Sequence, residues 1–451
     1  MNRDVYKDLM AWKTSMRRKP LLLKGARQTG KTWILKEFGR KAYENYAYFN
    51  FEEDAGLLPF FNGRLDPQRL IENLSVYHGR PIRPEKDLLI FDEIQTCNEA
   101  LNALKYFQEN AGDYHVAAAG SLLGIKLSTP NSFPVGKVNF INLHPMSFLE
   151  FLDAMGEHRY RQVLENISGI EPIPNPFHEE LTRWLRIYYC VGGMPEAVDH
   201  YANTRDLAGA RQIQKEILNS YILDFAKHAP TSDIPKLTHI WDSVPAQLAR
   251  ENKKFVFSAV RKSARSREYE SAVLWLEDAG LIHRSFLVTA GRQPLKGYMD
   301  RDCFKVYALD VGLLGAMANL PVEVVVQGDR LFTEFKGSLT EDYAAQQLRV
   351  LDMDLFYWKP AGGMAEVDFI LSVDREIIPL EVKAGVNPKS KSLRSYDARF
   401  HPSLMCRVTL LNFKKEAALW NVPLYAISCL PILAKALDRQ GLALNKIQDP
   451  N

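Results

Sequence analysis

Apolar positions are spaced in two different ways along the first half of the chain. Up to about residue 150, short apolar runs alternate with segments of helical periodicity, a pattern typical of a mostly parallel α/β sheet. Five runs have the length of buried strands: residues 21–23, 47–51, 88–91, 115–119 and 137–143. A helix is predicted from residue 145, with Pro145 near its first turn. From about residue 151 to 240 the period is helical, with breaks at residues 171–176 and 191–195.

The pattern changes again in the second half of the chain. Residues 266–280 have one apolar face and end at Gly280, which predicts an amphipathic helix, and a strand is predicted at residues 281–288. Two helices and a short strand are the layout of a winged helix. Further apolar runs predict another α/β unit from about residue 291. We therefore expect four domains, covering residues 1–150, 151–240, 241–290 and 291–451.

The segment that follows the first predicted strand matches G-x-x-x-x-G-K-[ST]. Such a loop between a strand and a helix surrounds phosphate oxygens with backbone amides. Lys31 would reach the β- and γ-phosphates of ATP, and the Thr32 hydroxyl would hold Mg²⁺. The alternative is a surface turn, which the flanking strand and helix disfavour. The predicted nucleotide-binding residues here are Gly25, Ala26, Arg27, Gln28, Thr29, Gly30, Lys31 and Thr32.

Polar side chains follow two other predicted strands at their carboxyl ends, where nucleotide-binding sheets place their chemistry. Asp92 would bind Mg²⁺ directly or through water, and Glu93 would orient and deprotonate the attacking water. Ser121 would hydrogen-bond the γ-phosphate or that water. The alternatives are a helix cap for the two acids and a simple turn for the serine. Together with the loop, these residues predict an ATP hydrolase.

The composition narrows the class of protein. Of 451 residues, 46% are hydrophobic and 25% charged, as in ordinary globular proteins. The formal net charge is only +3, so any nucleic-acid surface must be local. The five cysteines have neither disulfide nor zinc spacing, and no run approaches the roughly 20 apolar residues of a membrane span. We expect a cytoplasmic protein without a membrane partner.

A basic segment lies beside the predicted amphipathic helix. Residues 250–270 contain seven basic residues and three acids. Phosphate contacts from such a segment would give salt-sensitive binding to DNA. Winged helices also bind proteins, and a basic helix face is often only solvated, so these readings stay open. The residues that would contact DNA are Arg261, Lys262, Arg265 and Arg267.

Three carboxylates and a lysine form a candidate catalytic group in the C-terminal region. Asp368 begins one predicted strand, and Glu381 and Lys383 share a face of the next strand of a predicted hairpin. Such a group can hold Mg²⁺ and position water for phosphodiester hydrolysis, and Glu341 on the helix before could add a ligand or pair with the lysine. Spacing alone favours an ordinary surface salt bridge. Pro379 predicts a strand at a sheet edge.

Taken together, these motifs resemble a prokaryotic family of AAA-type ATPases whose C-terminal domain resembles the PD-(D/E)xK nuclease fold. The matching segments are residues 25–32, 88–93, 120–121, 144–151 and 191–195, then Gly337, Glu341, Tyr357-Trp358, residues 366–369 and residues 379–383. The resemblance implies an α/β P-loop NTPase sheet, a winged-helix-like middle and a restriction-endonuclease-like α/β end. The helical residues 151–240 would form a lid beside the nucleotide site. The resemblance also strengthens the reading of Asp368 and Glu381 as Mg²⁺ ligands, of Lys383 as the group that orients or activates water, and of Glu341 as a further ligand.

The chain departs from this family at Gly136-Lys137, where Gly-Arg is expected. If that arginine acts in trans within a homo-oligomer, its replacement by lysine argues against strong ATP turnover. Three functions stay open. They are an ATP-dependent enzyme that acts on nucleic acid, a regulatory ATPase whose last domain binds DNA or protein without cutting, and an ATPase that recruits a protein through the winged helix.

Overall fold

A computed structural model describes residues 2–121, 136–250, 253–261, 265–327, 333–360, 362, 365–385 and 390–435. The predicted contact residue Lys262 lies outside these ranges. The chain divides into two units, one formed by Met1–His144 with Leu274–Leu281 and the other by Pro145–Val273 with Ile282–Asn451. The four predicted domain ranges stay a prediction.

The first unit contains a five-stranded parallel sheet, and all five predicted strands are present. The strands are β1 (Leu21–Lys24), β2 (Asn45–Asn50), β3 (Asp87–Asp92), β4 (His115–Ala119) and β5 (Asn139–Asn142). Their order in the sheet is β2-β3-β4-β1-β5. The α-helices are α1 (Val5–Thr14), α2 (Lys31–Ala42), α3 (Pro67–His78) and α4 (Asn98–Asn110). Two short 3₁₀ helices span Ala55–Phe61 and Ile94–Thr96.

Helices cover both faces of this sheet. Successive side chains of a strand point to opposite faces, so neighbouring residues of one strand are buried in different cores. Leu22 and Leu89 belong to a core with α3 and α4, whereas Leu21 and Leu88 belong to a second core with α1 and α2. The strands therefore read as continuous apolar runs, and the unit has three layers. This arrangement confirms the predicted α/β class.

The second unit begins with helices, as the period of the sequence predicts. They are α5 (Phe148–Ala154), α6 (His158–Glu165), α7 (Asn175–Val191), α8 (Pro195–Thr204), α9 (Leu207–His228) and α10 (Ile234–Leu248). The first starts later than predicted, because Ser147 and Glu150 form a capping box and Pro145 lies before the cap. The break after α7 has a packing reason: a Cβ at Gly193 would stand 2.1 Å from the carbonyl oxygen of Met146.

A three-stranded sheet follows two further helices. The helices are α11 (Phe257–Val260) and α12 (Ser266–Asp278), and the strands are β6 (Ile282–Val288), β7 (Met299–Ala308) and β8 (Phe356–Trp358). The strand β6 pairs antiparallel with β7 and parallel with β8. The β6–β7 pairing therefore crosses residue 290, where the sequence suggests a domain boundary.

The C-terminal region forms a second five-stranded sheet. Its strands are β9 (Phe369–Val373), β10 (Glu376–Val382), β11 (Met405–Thr409), β12 (Lys414–Glu416) and β13 (Leu419–Pro423), in the order β12-β13-β11-β10-β9. The helices of this region are α13 (Val311–Met317), α14 (Val322–Gln327), α15 (Thr333–Val350) and α16 (Lys391–Phe400), with a 3₁₀ turn at Leu424–Cys429.

The predicted hairpin is present as β9 and β10, but the position predicted from Pro379 is wrong. The strand β10 lies between β9 and β11 and is not an edge strand. Its pairing with β11 begins at Leu380, one residue after the proline. The proline therefore lies outside that ladder, where its missing N–H is tolerated.

Within the described ranges, no helix is both long enough and apolar enough to cross a membrane.

Candidate functional site

The loop between β1 and α2 is shaped by glycine. Gly30 precedes α2 with a φ of +92°, in the left-handed region that glycine adopts without strain. At Gly25 a Cβ would stand 2.2 Å from the carbonyl oxygen of Leu143, so a larger residue would not fit. The loop thus follows the path that the sequence motif requires, and α2 starts at Lys31 directly after it.

The side chain of Lys31 is folded back onto this loop. Its ammonium group donates hydrogen bonds to the carbonyl oxygens of Gly25, at 3.0 Å, and Ala26, at 2.8 Å. Burial lowers the pKa of Lys31 to about 8, although the carboxylates of Glu93 and Asp92 act in the opposite direction. A buried ammonium group held only by neutral carbonyls gains most from an anionic partner, so Lys31 fits a phosphate ligand.

Asp92 receives two hydroxyl donors at the end of β3. The Thr32 hydroxyl donates to its Oδ2 at 2.6 Å, and the Tyr48 hydroxyl donates to the same oxygen at 2.9 Å. Burial, followed by the Asp92 charge, raises the pKa of Tyr48 above its usual range. A buried carboxylate beside a threonine hydroxyl is an oxygen-donor set that suits Mg²⁺. The structure therefore brings the two predicted Mg²⁺ residues together.

Glu93 lies next to this pair in a constrained backbone position. Its φ is +49°, an uncommon value for a residue with a side chain. Gln95 Nε2 donates to Glu93 Oε2 at 2.5 Å, and the Ser121 hydroxyl donates to the same oxygen at 3.4 Å. The structure thus brings the predicted residues Glu93 and Ser121 together.

The remaining loop residues have structural contacts. Arg27 forms an ion pair with Glu52 at 3.7 Å. Thr29 is buried, and its hydroxyl donates to the carbonyl oxygen of Ala26 at 2.9 Å. Gln28 adopts a φ of +65° and lets the loop turn. Lys137 is the residue at which the chain departs from the family pattern. Its ammonium group forms an ion pair with Glu109 at 2.9 Å, so this lysine has a partner within the first unit.

Sequence reasoning missed Tyr48 and Gln95. Tyr48 lies on β2, and Asn50 of that strand is in register with Asp92 of β3. No motif marks a tyrosine on a neighbouring strand, so only the strand pairing reveals it. Gln95 is two residues after Glu93 in the sequence, but a glutamine at that position belongs to no motif that would indicate a contact with Glu93.

In the second unit, Glu341 of α15 is an acceptor for several protein donors. Lys305 donates to its Oε1 at 3.1 Å, the Tyr307 hydroxyl donates to the same oxygen at 2.5 Å, and Lys253 donates to Oε2. Burial alone would raise the pKa of Glu341, but the Lys253 and Lys305 ammonium groups hold it at about 2. Both oxygens therefore have protein partners, and a metal-ligand role for Glu341 stays a prediction.

Lys305 is the buried centre of this cluster, which the sequence did not indicate. Its side chain is fully buried, and its ammonium group pairs with Glu366 at 2.6 Å as well as with Glu341. Although burial opposes it, the charges of Glu341, Glu366 and Asp368 raise the pKa of Lys305 above its usual range. The chain thus supplies its own cation among these carboxylates.

Asp368 and Glu381 lie nearby on the hairpin. The amide of Val382 donates to Asp368 Oδ2 at 2.8 Å, and burial together with the Glu341 charge raises the pKa of Asp368 to about 7. Glu381 is buried and pairs through Oε1 with Lys383 at 2.8 Å. Among the described residues, its Oε2 has no hydrogen-bond partner.

Lys383 keeps its charge in this arrangement. Although burial opposes it, the hydrogen bond to Glu381 raises the pKa of Lys383. An ammonium group of this kind orients water better than it deprotonates it. In the parts of the chain that the structure describes, no group of three or more His, Cys, Asp or Glu side chains is arranged to hold a metal ion.

The predicted DNA-contact residues are on the surface of the second unit. Arg261 follows α11, Arg265 directly precedes α12, and Arg267 lies in the first turn of α12; all three are exposed.

Comparison with known families agrees with the geometry of the first unit. The model of a family described as AAA domain matches residues 17–152. With the parallel sheet and the glycine loop, this match defines the N-terminal region as an AAA-type P-loop ATPase domain, a class that binds nucleotide and usually Mg²⁺. Two other models match, DUF8612 at residues 182–323 and DUF4143 at residues 336–426, and both are described as domains of unknown function.

Two solved structures show distant similarity. The Walker-type ATPase PABY2304 of Pyrococcus abyssi is 12% identical, with 70% of this chain and 95% of that chain covered at a TM-score of 0.43. The Aeropyrum pernix Orc1 protein, solved in complex with DNA, is 12% identical, with 71% and 91% covered at a TM-score of 0.29. Both TM-scores are low, so the class of the domain rests on the family model and the loop. No curated protein sequence matches the chain significantly.

Proposed function

We propose that the first unit hydrolyses ATP in the presence of Mg²⁺. The observation that carries the proposal is the position of Lys31, a buried ammonium group whose hydrogen-bond partners among the described residues are the carbonyl oxygens of Gly25 and Ala26. The phosphates of ATP would offer this group a charged partner. The loop amides of residues 25–32 would bind the same phosphates.

The other side chains of the site would bind the metal ion, activate water and orient these groups. Thr32 and Asp92 would hold Mg²⁺, which neutralises phosphate charge when bound. Glu93 would accept a proton from water while the water oxygen attacks the γ-phosphorus and ADP leaves. Gln95 and Ser121 donate to Glu93 Oε2 and would fix the direction of that carboxylate. Tyr48 would orient Asp92 through its hydroxyl.

Phosphate release from ATP tests this proposal. We expect release with Mg²⁺ and none with excess EDTA. Thr32→Val keeps the shape of the side chain but removes the hydroxyl that contacts Asp92, so release should fall by roughly 10²-fold. The control is Thr14→Val on α1, whose exposed hydroxyl bonds only its own helix. Equal rates for wild type and Thr32→Val would contradict the assignment.

A second proposal concerns the C-terminal cluster. Asp368 and Glu381 would bind a divalent cation, and Lys383 would orient water for cleavage of a nucleic-acid phosphodiester bond under control of ATP. The specific support is the buried Oε2 of Glu381, which has no partner among the described residues, and the raised pKa of Asp368. Both are features of carboxylates that gain from a nearby cation.

The competing function is a regulatory ATPase whose C-terminal region binds DNA or protein without cutting it. The ion pairs of Glu341 favour this alternative, since Lys253 and Lys305 already neutralise one side of the cluster. Under either function, DNA is the partner we propose for Arg261, Arg265 and Arg267 of the second unit.

Cleavage assays separate the two functions. Single- and double-stranded DNA and RNA are incubated with the full chain, Mg²⁺ or Mn²⁺, and ATP or no nucleotide. Cleavage should be lost in Asp368→Ala and Lys383→Ala but kept in Glu416→Gln, a change of an exposed carboxylate on β12. ATP hydrolysis should persist in all three variants, because the loop and these residues belong to different units. No cleavage by the wild type would favour the regulatory function.

A further inference from the structure

An arginine near the start of the chain contacts the nucleotide loop. Arg3 lies two residues before α1, and only 8% of its surface is exposed. Its Nη1 donates to the carbonyl oxygen of Thr29 at 2.9 Å, and its Nη2 donates to the carbonyl oxygen of His144 at 2.6 Å. One guanidinium group therefore joins the loop to the segment that follows β5, and all of these residues belong to the first unit.

The segment after β5 also contacts the beginning of the loop. Leu143 directly precedes His144, and a Cβ on Gly25 would stand 2.2 Å from the carbonyl oxygen of Leu143. The amide of Leu143 donates to the carbonyl oxygen of the last residue of β1 at 2.7 Å, which fixes the segment in place. The loop is therefore held at its first residue by this close approach and near its end by Arg3.

The helix α1 fixes the position of Arg3. The carbonyl oxygen of Arg3 accepts a hydrogen bond from the amide of Tyr6 at 3.1 Å. Leu9 and Trp12 of α1 are buried in the core that also contains residues of α2, the helix that starts at the end of the loop. A side chain anchored by a packed helix keeps its place without a ligand, which is what a preorganised site requires.

The hydrogen bond to Thr29 determines the direction of one loop amide. A trans peptide group is planar, so its C=O and N–H point in opposite directions. The peptide between Thr29 and Gly30 is trans and its oxygen points at Arg3, so the N–H of Gly30 points away from Arg3. Loops with this motif bind the α- and β-phosphates through backbone N–H groups. A hydrogen bond to the oxygen of a peptide group also polarises its N–H and makes it a stronger donor.

We propose that Arg3 is a positioning residue of the ATP site. By binding the carbonyl oxygen of Thr29, it directs the N–H of Gly30 toward the phosphates of the nucleotide. This inference rests on the proposed binding of ATP by the first unit. Arg3 acts through the loop, and it lies outside both the sequence motif and residues 17–152, which the AAA model matches.

Isothermal titration of the full chain with ADP and Mg²⁺ tests this role, because ADP carries both of the phosphates that the loop amides would bind. Arg3→Met keeps the length of the side chain and removes its donors, so ADP should bind at least about tenfold more weakly. Arg3→Lys keeps the charge but loses the planar fork that reaches two carbonyl oxygens, and we expect an intermediate affinity. Arg17→Met, a change of an exposed arginine after α1, should bind ADP like the wild type.

NMR of a single peptide group distinguishes positioning from a general effect on stability. Thr29-Gly30 is the only Thr-Gly pair in the sequence, so carbonyl-¹³C threonine combined with ¹⁵N glycine selects the amide of Gly30. In the wild type, ADP should shift this amide proton downfield as it forms a hydrogen bond to phosphate. The shift should be smaller in Arg3→Met and unchanged in Arg17→Met.

The outcomes separate this inference from the proposed function. If Arg3→Met does not fold, weaker ADP binding and a smaller Gly30 shift in Arg3→Lys support the role of Arg3. Equal ADP affinity in the wild type and both Arg3 variants would overturn that role and leave nucleotide binding by the first unit intact. An unchanged Gly30 shift in the Arg3 variants would mean that Arg3 only supports the fold, which also overturns it. No ADP binding by the wild type would overturn the proposed function and this inference with it.

Discussion

At the scale of single residues, Lys31 and Asp92 of the candidate ATP site have neutral hydrogen-bond partners among the described residues. Lys31 contacts carbonyl oxygens, and Asp92 accepts hydrogen bonds from the neutral hydroxyls of Thr32 and Tyr48. Neutral partners leave charge available for a ligand, whereas the ion pairs of Glu341 do not. The candidate ATP site and the carboxylate cluster around Glu341 differ in this respect.

We predict that Lys31→Ala lowers the affinity for ATP by about 2 kcal/mol or more, the scale of a charge-assisted hydrogen bond. The reason is the loss of the ammonium group, since the loop backbone does not depend on that side chain. Isothermal titration measures the change. Lys41→Ala, which removes an exposed lysine from the end of the same helix, should bind ATP like the wild type. Equal affinities for all three proteins would refute the assignment of Lys31.

We also predict that Asp368 titrates near pH 7. Burial and the Glu341 charge raise its pKa from 3.8 to about 7, so the folded state keeps a proton that the unfolded chain loses. The stability that Asp368 confers is therefore present at low pH and lost as the pH rises through about 7. Burial also raises the pKa of Asp342 and Asp310, so the assignment rests on a variant: carboxyl ¹³C NMR should show a titration near pH 7 in the wild type that is absent in Asp368→Asn. Completion of all aspartate titrations below about pH 5 would contradict it.

Residue-level prediction from the sequence succeeded where a local motif imposes geometry. The spacing of Gly25, Gly30 and Lys31 defines a loop, and the structure has that loop. It failed for Lys305, because a lysine inside a β-strand gives no local sign of the two carboxylates that it meets. Those contacts depend on tertiary packing.

At the scale of elements, burial explains which strands the sequence reveals. The strands β1, β3 and β4 are covered on both faces, so their apolar runs are continuous and easy to locate. The position of β10 was misread because a proline commonly marks an edge, and the sequence does not show where pairing with β11 begins. Ser147, and not Pro145, defines the start of α5 because it caps the helix.

The basic residues beside α11 and α12 lead to a prediction at this scale. If Arg265 and Arg267 contact DNA phosphates, Arg265→Ala with Arg267→Ala should reduce the slope of log affinity against log salt by about two units. Fluorescence anisotropy with a labelled duplex measures the slope. The control is Lys414→Ala with Lys415→Ala, two exposed lysines on β12. An unchanged slope in the first pair would mean that the face is solvated or meets a protein.

At the scale of the whole molecule, the chain contains one AAA-type ATPase domain and two regions that match domains of unknown function. The AAA model covers residues 17–152, and models without a known function cover much of the remainder. The nucleotide loop and the C-terminal cluster belong to separate units, so changes at one should leave the chemistry of the other intact. ATP hydrolysis is therefore the part of the account that can be tested without knowing the partner of the second unit.

The most direct test is single-turnover hydrolysis of ATP by the wild type and by Glu93→Gln. The amide keeps the shape of the side chain but cannot accept a proton from water. We predict that the variant binds ATP with unchanged affinity and hydrolyses it roughly 10²-fold or more slowly. Hydrolysis at the wild-type rate in Glu93→Gln would contradict the account.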